Sequence, residues 1–199
     1  MRRIGREAEM DHAGTRTIET RRLVLRRFTE DDAEAMFRNW ASDPEVTRFL
    51  TWPTHPDAGV SRQVLASWVA EYAKDDFYQW AICLAGTNEP IGSISVVLQR
   101  EDVGMVHIGY CIGQPWWRQG VTSEALAALI RFFFTVVGAN RVEARFDPRN
   151  ENSGRVMASC GMRYEGTTRQ SDRNNQGLCD ASHYAILRED WEQAQAGAG

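Results

Sequence analysis

Apolar residues along the chain switch between two spacings, and the switches predict the elements. In "RRLVLRRF", Leu23 and Leu25 share one face with Val24 opposite, the alternation of a strand. Thr29 offers an N-cap, with Asp32 in the capping-box position, and the helix it opens gathers Ala33, Met36, Phe37 and Trp40 on one side. Asp43 and Pro44 predict a second short helix with Pro at its first position. The prolines and glycine of "TWPTHPDAG" predict a loop, and residues 60–74 a helix with Val64, Leu65, Trp68 and Val69 apolar. Three strand runs follow, "FYQWAICLA", "IGSISVVL" and "MVHIGYCIG", the first two joined by the turn "GTNEP". A helix opening near Thr122 then sets Leu126, Ile130, Phe133 and Val137 on one face, and Gly138 closes it. "RVEARF" is a strand and "NSGRVMASC" a short helix stopped by Gly161. "MRYEGTTRQ" and "DASHYAILR" are strands joined through "NNQG". Seven strands in this order, with helices grouped rather than alternating, predict an α+β fold with a mixed, mostly antiparallel sheet and flanking helices.

The ends lack this patterning. Residues 1–16 are predicted to be a disordered leader, residues 17–191 a single domain, and residues 192–199 a frayed tail with nothing apolar to bury. At 199 residues the chain suffices for one domain with a real core. A formal charge of -4 gives no general pull towards nucleic acid or an anionic membrane. Cys83, Cys111, Cys160 and Cys179 form no C-x-x-C pair and no His stands at metal-ligand spacing from them, so they are expected to be reduced core residues, with no metal site. The charged N-terminus has no apolar signal region, and "ALAALIRFFFTVV" is too short to span a bilayer. A cytoplasmic protein is the expectation.

The stretch "GYCIGQPWWRQGVTSEAL", residues 109–126, carries the candidate chemistry. A strand runs into a turn containing Gly120 and at once into a long helix. A helix N-terminus exposes unpaired N–H groups and the positive end of its dipole, which suits a phosphate. Gly120 either only makes the turn or lets the backbone approach such an anion. There is no G-K-[ST] of a Walker loop and no G-x-G-x-x-G of a dinucleotide fold.

This stretch resembles motif A of the GNAT acyl-CoA N-acyltransferases, whose pattern [Q/R]-x-x-G-x-[G/A] reads W-R-Q-G-V-T here; Trp117 and Thr122 depart from it and Gly120 matches. "RRLVLRRFTEDDAEAMF" and "RVEARFDPRNENSGRVMASCGMRYEG" resemble the opening and motif B of the RimJ/RimL-like branch, the ribosomal-protein N-terminal acetyltransferases, so the resemblance covers roughly residues 17–191. It implies a V-shaped split between the fourth and fifth strands that holds acetyl-CoA, the co-substrate. Pantetheine would pair with Tyr110, Cys111 and Ile112, the pyrophosphate would sit on Arg118, Gln119, Gly120, Val121, Thr122 and Ser123, and Trp117 would be a further cofactor-binding residue. Asn150 and Ser153, in the N-x-x-S element, would also face the cofactor.

The reaction implied is direct attack of an amine on the thioester. A glutamate common in that branch is replaced by His107, which is either the general base or a packing residue; His183 is the second candidate. The helix position often held by an acidic tyrosine is Met157, which leaves Ser153 as donor to the departing sulfur or as a helix cap. Trp52, Trp116 and His183 are the candidate acceptor-binding residues. The acceptor would be a protein N-terminus or a small amine, with no nucleic acid or membrane partner, and the protein a monomer or homodimer. The alternative function is a non-catalytic acyl-CoA-binding module of the same fold.

Overall fold

The structure is a computed structural model and describes residues 10–197. Its strands are β1 (Ile18–Glu19), β2 (Leu23–Arg26), β3 (Gln79–Leu84), β4 (Pro90–Arg100), β5 (Met105–Ile112), β6 (Arg141–Phe146), β7 (Arg163–Asn174) and β8 (Gly177–Leu187). They form one sheet in the order β1-β2-β3-β4-β5-β6-β8-β7. Every neighbouring pair is antiparallel except β5 and β6, which are parallel because a helical crossover joins them. The expected count of seven strands becomes eight through the two-residue β1, too short to carry a periodic signal.

Helices α1 (Ala33–Met36), α2 (Pro44–Thr47) and α3 (Ala58–Glu71) precede β3, α4 (Val121–Phe132) joins β5 to β6, α5 (Glu151–Ser159) precedes β7, and α6 (Arg188–Ala196) ends the described chain. The sheet divides two cores. On one face Leu23, Leu25, Trp80, Ile82 and Ile108 meet Leu126, Leu129 and Phe133 of the α4 segment. On the other, Ala81 and Cys83 meet Phe28, Met36, Trp40 and Leu65. Burial on both faces is why β3 reads as a continuous apolar run rather than an alternation.

Strands β5 and β6 pair only at Met105–Arg141, Val106–Val142 and His107–Glu143. Past His107 they diverge, while β5 stays paired to β4 through Ile112. This is the V-shaped split expected between the fourth and fifth strands, here β5 and β6. Helix α5 lies close against β6, and a Cβ on Gly154 would come within 2.6 Å of the Phe146 ring. Only glycine permits that approach.

Two expectations at the ends are corrected. Residues 1–9 lie outside the described residues, but residues 10–16 are fastened to the sheet. Met10 is buried, the Asp11 N–H donates to the Val137 carbonyl, and the Thr15 hydroxyl bridges Phe77 and Gln79. These are side-chain and backbone bonds to residues far along the sequence, invisible to local pattern. The tail expected from residue 192 instead continues α6 to Ala196, with Trp191 packed on Phe134 at 5.7 Å between ring centres. Residues 198 and 199 lie outside the described residues.

Candidate active site

The chain leaves β5, makes a tight turn over Gln114–Trp116 and enters α4 through two left-handed residues, Arg118 (φ 59) and Gly120 (φ 72). Alternation of this kind aims successive N–H groups into one concavity. Among the described residues, the backbone N–H groups of Val121, Thr122 and Ser123 have no partner, and no side chain caps the helix. Trp117, Arg118, Gln119 and Gly120 are exposed. The turn is nevertheless held rigidly. The Arg22 guanidinium donates to the Gln119 carbonyl at 2.9 Å and to the Glu124 carboxylate at 2.6 Å, and the Trp117 indole donates to the Ile112 carbonyl at 2.8 Å. A Cβ on Gly120 would meet only Arg22, at 3.5 Å. Glycine is required there by its positive φ, not by crowding from the protein. The Ser123 hydroxyl accepts from Ser159, which ties the cradle to α5.

A cavity of about 470 Å³ threads the split. His107, at its apex, is 4% exposed and lies against Glu143, Nδ1 to Oε1 3.1 Å. A carboxylate only accepts, so Nδ1 carries the hydrogen and Nε2 of the neutral ring is the free base. Nε2 has no protein partner among the described residues and is not sealed from solvent. Arg141 holds the other oxygen of Glu143 at 3.0 Å and pairs in turn with Glu165. The His107 hydrogen bond and, after the opposing cost of burial, that of Arg141 hold the Glu143 carboxyl down at about 2.

Tyr110 sits on the opposite face of β5 from His107, by the alternation of the strand. Its phenol donates to the Ser153 carbonyl at 3.0 Å and accepts from the Ser153 hydroxyl at 3.1 Å. Burial pushes the phenol far above its usual range, so it stays protonated. Tyr110, Ser153, Asn150 and Met157 all line the cavity. Asn150 stands before the first residue of α5 and makes no side-chain cap. Burial raises the Cys111 thiol to about 12 and the Cys160 thiol to about 11, which removes both as nucleophiles at neutral pH.

Of the expected acceptor-binding residues, only Trp52 lines the cavity. Trp116 packs against the larger core beside Gly113, whose Cβ would lie 2.8 Å from its ring. His183 is on β8, opposite Arg145 of β6, and its ring bonds to Thr168 at 2.9 Å, away from the cavity lining. The sequence reading missed Glu143, Arg22, Trp40 and the hydroxyl of Tyr110. It also missed Asn175 at the β7–β8 tip, whose side chain donates to the carbonyls of Thr47 and Trp52 and so pins the loop roofing the cavity. Glu143 had no distinguishing local signal, since it lies between Arg141 and Arg145 on the charged face of β6. The others are contacts across the fold. Among the described residues no group of three or more His, Cys, Asp or Glu is arranged to hold a metal ion, and no helix is long and apolar enough to cross a membrane.

A split mixed sheet with an uncapped helix N-terminus beside the split defines a thioester-dependent acyltransferase architecture. The family model described as "Acetyltransferase (GNAT) domain" matches residues 22–163, and the chain belongs to this family. It is an N-acetyltransferase that takes acetyl-CoA as donor and an amine as acceptor. It is 38% identical over 158 residues to the [ribosomal protein uS5]-alanine N-acetyltransferase of Escherichia coli, covering 75% of this chain and 79% of that one. It is 29% identical to the uncharacterized N-acetyltransferase p20 of Bacillus licheniformis, covering 88% and 98%. Among solved structures, the GNAT-family acetyltransferase of Bacillus anthracis is 25% identical with a TM-score of 0.77, covering 87% of this chain and 99% of that one.

Proposed function

We propose that acetyl transfer takes place in the split, with His107 as general base and the Tyr110–Ser153 hydroxyl pair as proton donor to the departing sulfur. The observation that carries this reading is that a single cavity reaches both His107 and Tyr110–Ser153, on opposite faces of β5. Acetyl-CoA supplies the thioester, its phosphates resting on the free N–H groups of Val121, Thr122 and Ser123 and its pantetheine beside the unpaired edge of β5. The acceptor amine enters from the His107 side. Its nitrogen attacks the carbonyl carbon, a C–N bond forms and the C–S bond breaks. Nε2 of His107 takes the ammonium proton, and Glu143 steadies the resulting imidazolium. The phenol of Tyr110 donates its proton to the departing thiolate while the Ser153 hydroxyl orients it, and the phenolate is restored by the second proton, which the newly acetylated nitrogen sheds through solvent in the cavity.

The acceptor is either a protein N-terminus or a small amine; the Escherichia coli relative is an N-acetyltransferase of an alanine of ribosomal protein uS5. Four free cysteines suit a reducing compartment, and we place the enzyme in the cytoplasm. Thiol release from acetyl-CoA is measured with a panel of amines and short peptides. Amine-dependent release that collapses in both His107→Ala and Tyr110→Phe, with acetyl-CoA affinity retained, is the expected result. Wild-type rates in both variants would place the chemistry elsewhere.

A further inference from the structure

The sheet face that carries His107 also carries a strip of uncharged polar groups. Gln79 of β3, Ser95 of β4 and Gly109 of β5 are paired in one row across the three strands. Ser93 lies two residues before Ser95, and His107 two residues before Gly109, so alternation puts them all on that face, with His107 about 7 Å along β5 from Gly109. Each of these residues lines the cavity. Gly109 adds no side chain to the row, and a Cβ there would press on Val97 at 3.0 Å. Gln79 is only 6% exposed, and its amide donates to the Ser93 hydroxyl at 3.2 Å. Its Oε1 and the Ser95 hydroxyl have no partner among the described residues, and neither is sealed from solvent. Turned about its last bond, the amide would accept from Ser93 and leave its N–H groups unpaired, so one end of it is available in either setting. Polar groups this deep are paired as a rule, with protein, water or ligand. The segments that cover this face bring Met36, Trp40, Trp52 and Trp68 to the same cavity. The strip itself holds no charge, and the two carboxylates in the lining are both engaged, Asp147 by Arg149 and Asp172 by Arg145 at 2.7 Å.

We infer that Gln79 and Ser95 set acceptor specificity: they receive an uncharged hydrogen-bonding group, a hydroxyl or a carboxamide, that the acceptor carries on an apolar body away from the amine His107 deprotonates. The inference rests on the acetyl-transfer reading above and names the substrate class for it. Ser95 stands one strand and Gln79 two strands across from Gly109, about 5 and 10 Å, and one step along from His107, so the amine and the second group lie about four to six bonds apart. A hydroxyl or a carboxamide both donates and accepts, which suits either setting of the Gln79 amide. A hydrocarbon end would leave the strip unpaired beneath it, and a second ammonium would meet no unengaged carboxylate. A site built to hydrogen-bond a hydroxyl discriminates strongly against the analogue that lacks it, because the site's own polar groups are then left without partners.

The test uses the full chain with acetyl-CoA and three acceptors of one length that differ only at the far end: aminopentanol, hexylamine and cadaverine. Rates are compared as kcat/KM on free-amine concentration, so that the differing basicities cancel. Aminopentanol is expected to exceed hexylamine by about tenfold or more, chiefly in KM, with cadaverine lowest. In Gln79→Met, which keeps the volume and loses the amide, and in Ser95→Ala, that ratio should fall towards one. A fall in either variant supports the inference and identifies the residue that carries it; an unchanged ratio in both overturns the role of the strip. Should Gln79→Met fail to fold, Ser95→Ala, a small change at a half-buried position, decides. No advantage of aminopentanol over hexylamine in the wild type, or a preference for cadaverine, overturns the inference and leaves acetyl transfer standing. If another amine turns over and these three do not, they are compared as competitive inhibitors of that amine; the same order is expected, and failure to compete overturns the inference. Release with no amine in a wide panel overturns the acetyl-transfer reading itself.

Discussion

Tyr110 and Ser153 are joined by two hydrogen bonds that run in opposite senses, phenol to carbonyl at 3.0 Å and serine hydroxyl to phenol at 3.1 Å, and so bridge β5 to α5 across the split. The helix position where a tyrosine was sought holds Met157, buried and without a proton to give, while a tyrosine hydroxyl arrives at the same helix from the neighbouring strand. Tyr110→Phe removes the donor and the acceptor of the serine together. Ser153→Ala leaves the phenol bonded to the carbonyl. Turnover should fall by about 10²-fold in Tyr110→Phe and by less than about tenfold in Ser153→Ala, both with weak pH dependence. Thiol release at saturating acetyl-CoA measures this, and a larger loss in Ser153→Ala would make the serine the donor.

For His107 the prediction turns on the charge of the acceptor. A free aliphatic amine titrates near about 10, so at neutral pH a base must remove its proton. His107→Ala should lower turnover by roughly 10²-fold at neutral pH, and the loss should shrink as pH rises and the amine deprotonates itself. Glu143→Gln keeps the size but no longer dictates which ring nitrogen carries the hydrogen, and about a tenfold loss is expected. Affinity for acetyl-CoA should stay near wild type in both. A pH–rate profile of His107→Ala that parallels wild type would reduce His107 to packing.

The cradle predicts a separation of binding from folding. Gly120 has φ 72, and a Cβ there meets only Arg22 at 3.5 Å, so the protein has room for a side chain but not the preferred backbone. Gly120→Val should cost about 1–2 kcal/mol of stability through that strain. The same side chain would project beside the free N–H groups, and acetyl-CoA affinity should drop tenfold or more, about 1.4 kcal/mol. Calorimetric titration of the folded variant decides it, and unchanged binding would move the phosphates off α4.

The sequence carried those parts of the fold and site that depend on local pattern. "RVEARF" became β6 residue for residue, and the apolar face of α4 and the closing Gly138, at φ 80, stand where the periodicity sets them. Gly120, His107 and Ser153 are candidates in the sequence because each lies at a marked place on a strand, turn or helix. What could not be read joins distant segments through single contacts. Glu143 reaches His107 from 36 residues away, and Arg22 reaches Gln119 from 97. Helix α6, "REDWEQAQA", has only Trp191 as a large apolar anchor, so it shows no period until Phe134 is beside it. Trp116 and Trp52 look alike in sequence; one packs into the core and the other lines the cavity, a difference set by tertiary placement alone.

Asp147, just past β6, gives the pH prediction. Its side chain is 2% exposed, bonded to the Arg149 guanidinium and backbone N–H and, at 2.8 Å, to the Asn174 amide of the β7–β8 hairpin. The Arg149 hydrogen bond, opposed in part by burial, holds its carboxyl down at about 2 against an ordinary 3.8. A carboxyl lowered by folding stabilises the native state fully above 3.8, and that stabilisation is lost as pH falls through about 2. Arg149 is itself 56% exposed, so solvent screening limits the pH-dependent part to on the order of 1–2 kcal/mol. Asp147→Asn should therefore lie below wild type by a constant gap at neutral and mildly acid pH. The gap should close between about pH 4 and pH 2, where wild-type Asp147 becomes protonated as well. The neighbouring low carboxyl, Glu143, is the same in both proteins and cancels in the difference. Urea unfolding followed by tryptophan fluorescence across that range measures the gap. If it stays constant down to the acid limit, Asp147 stabilises the hairpin as a neutral hydrogen-bonding group and its pairing with Arg149 contributes nothing.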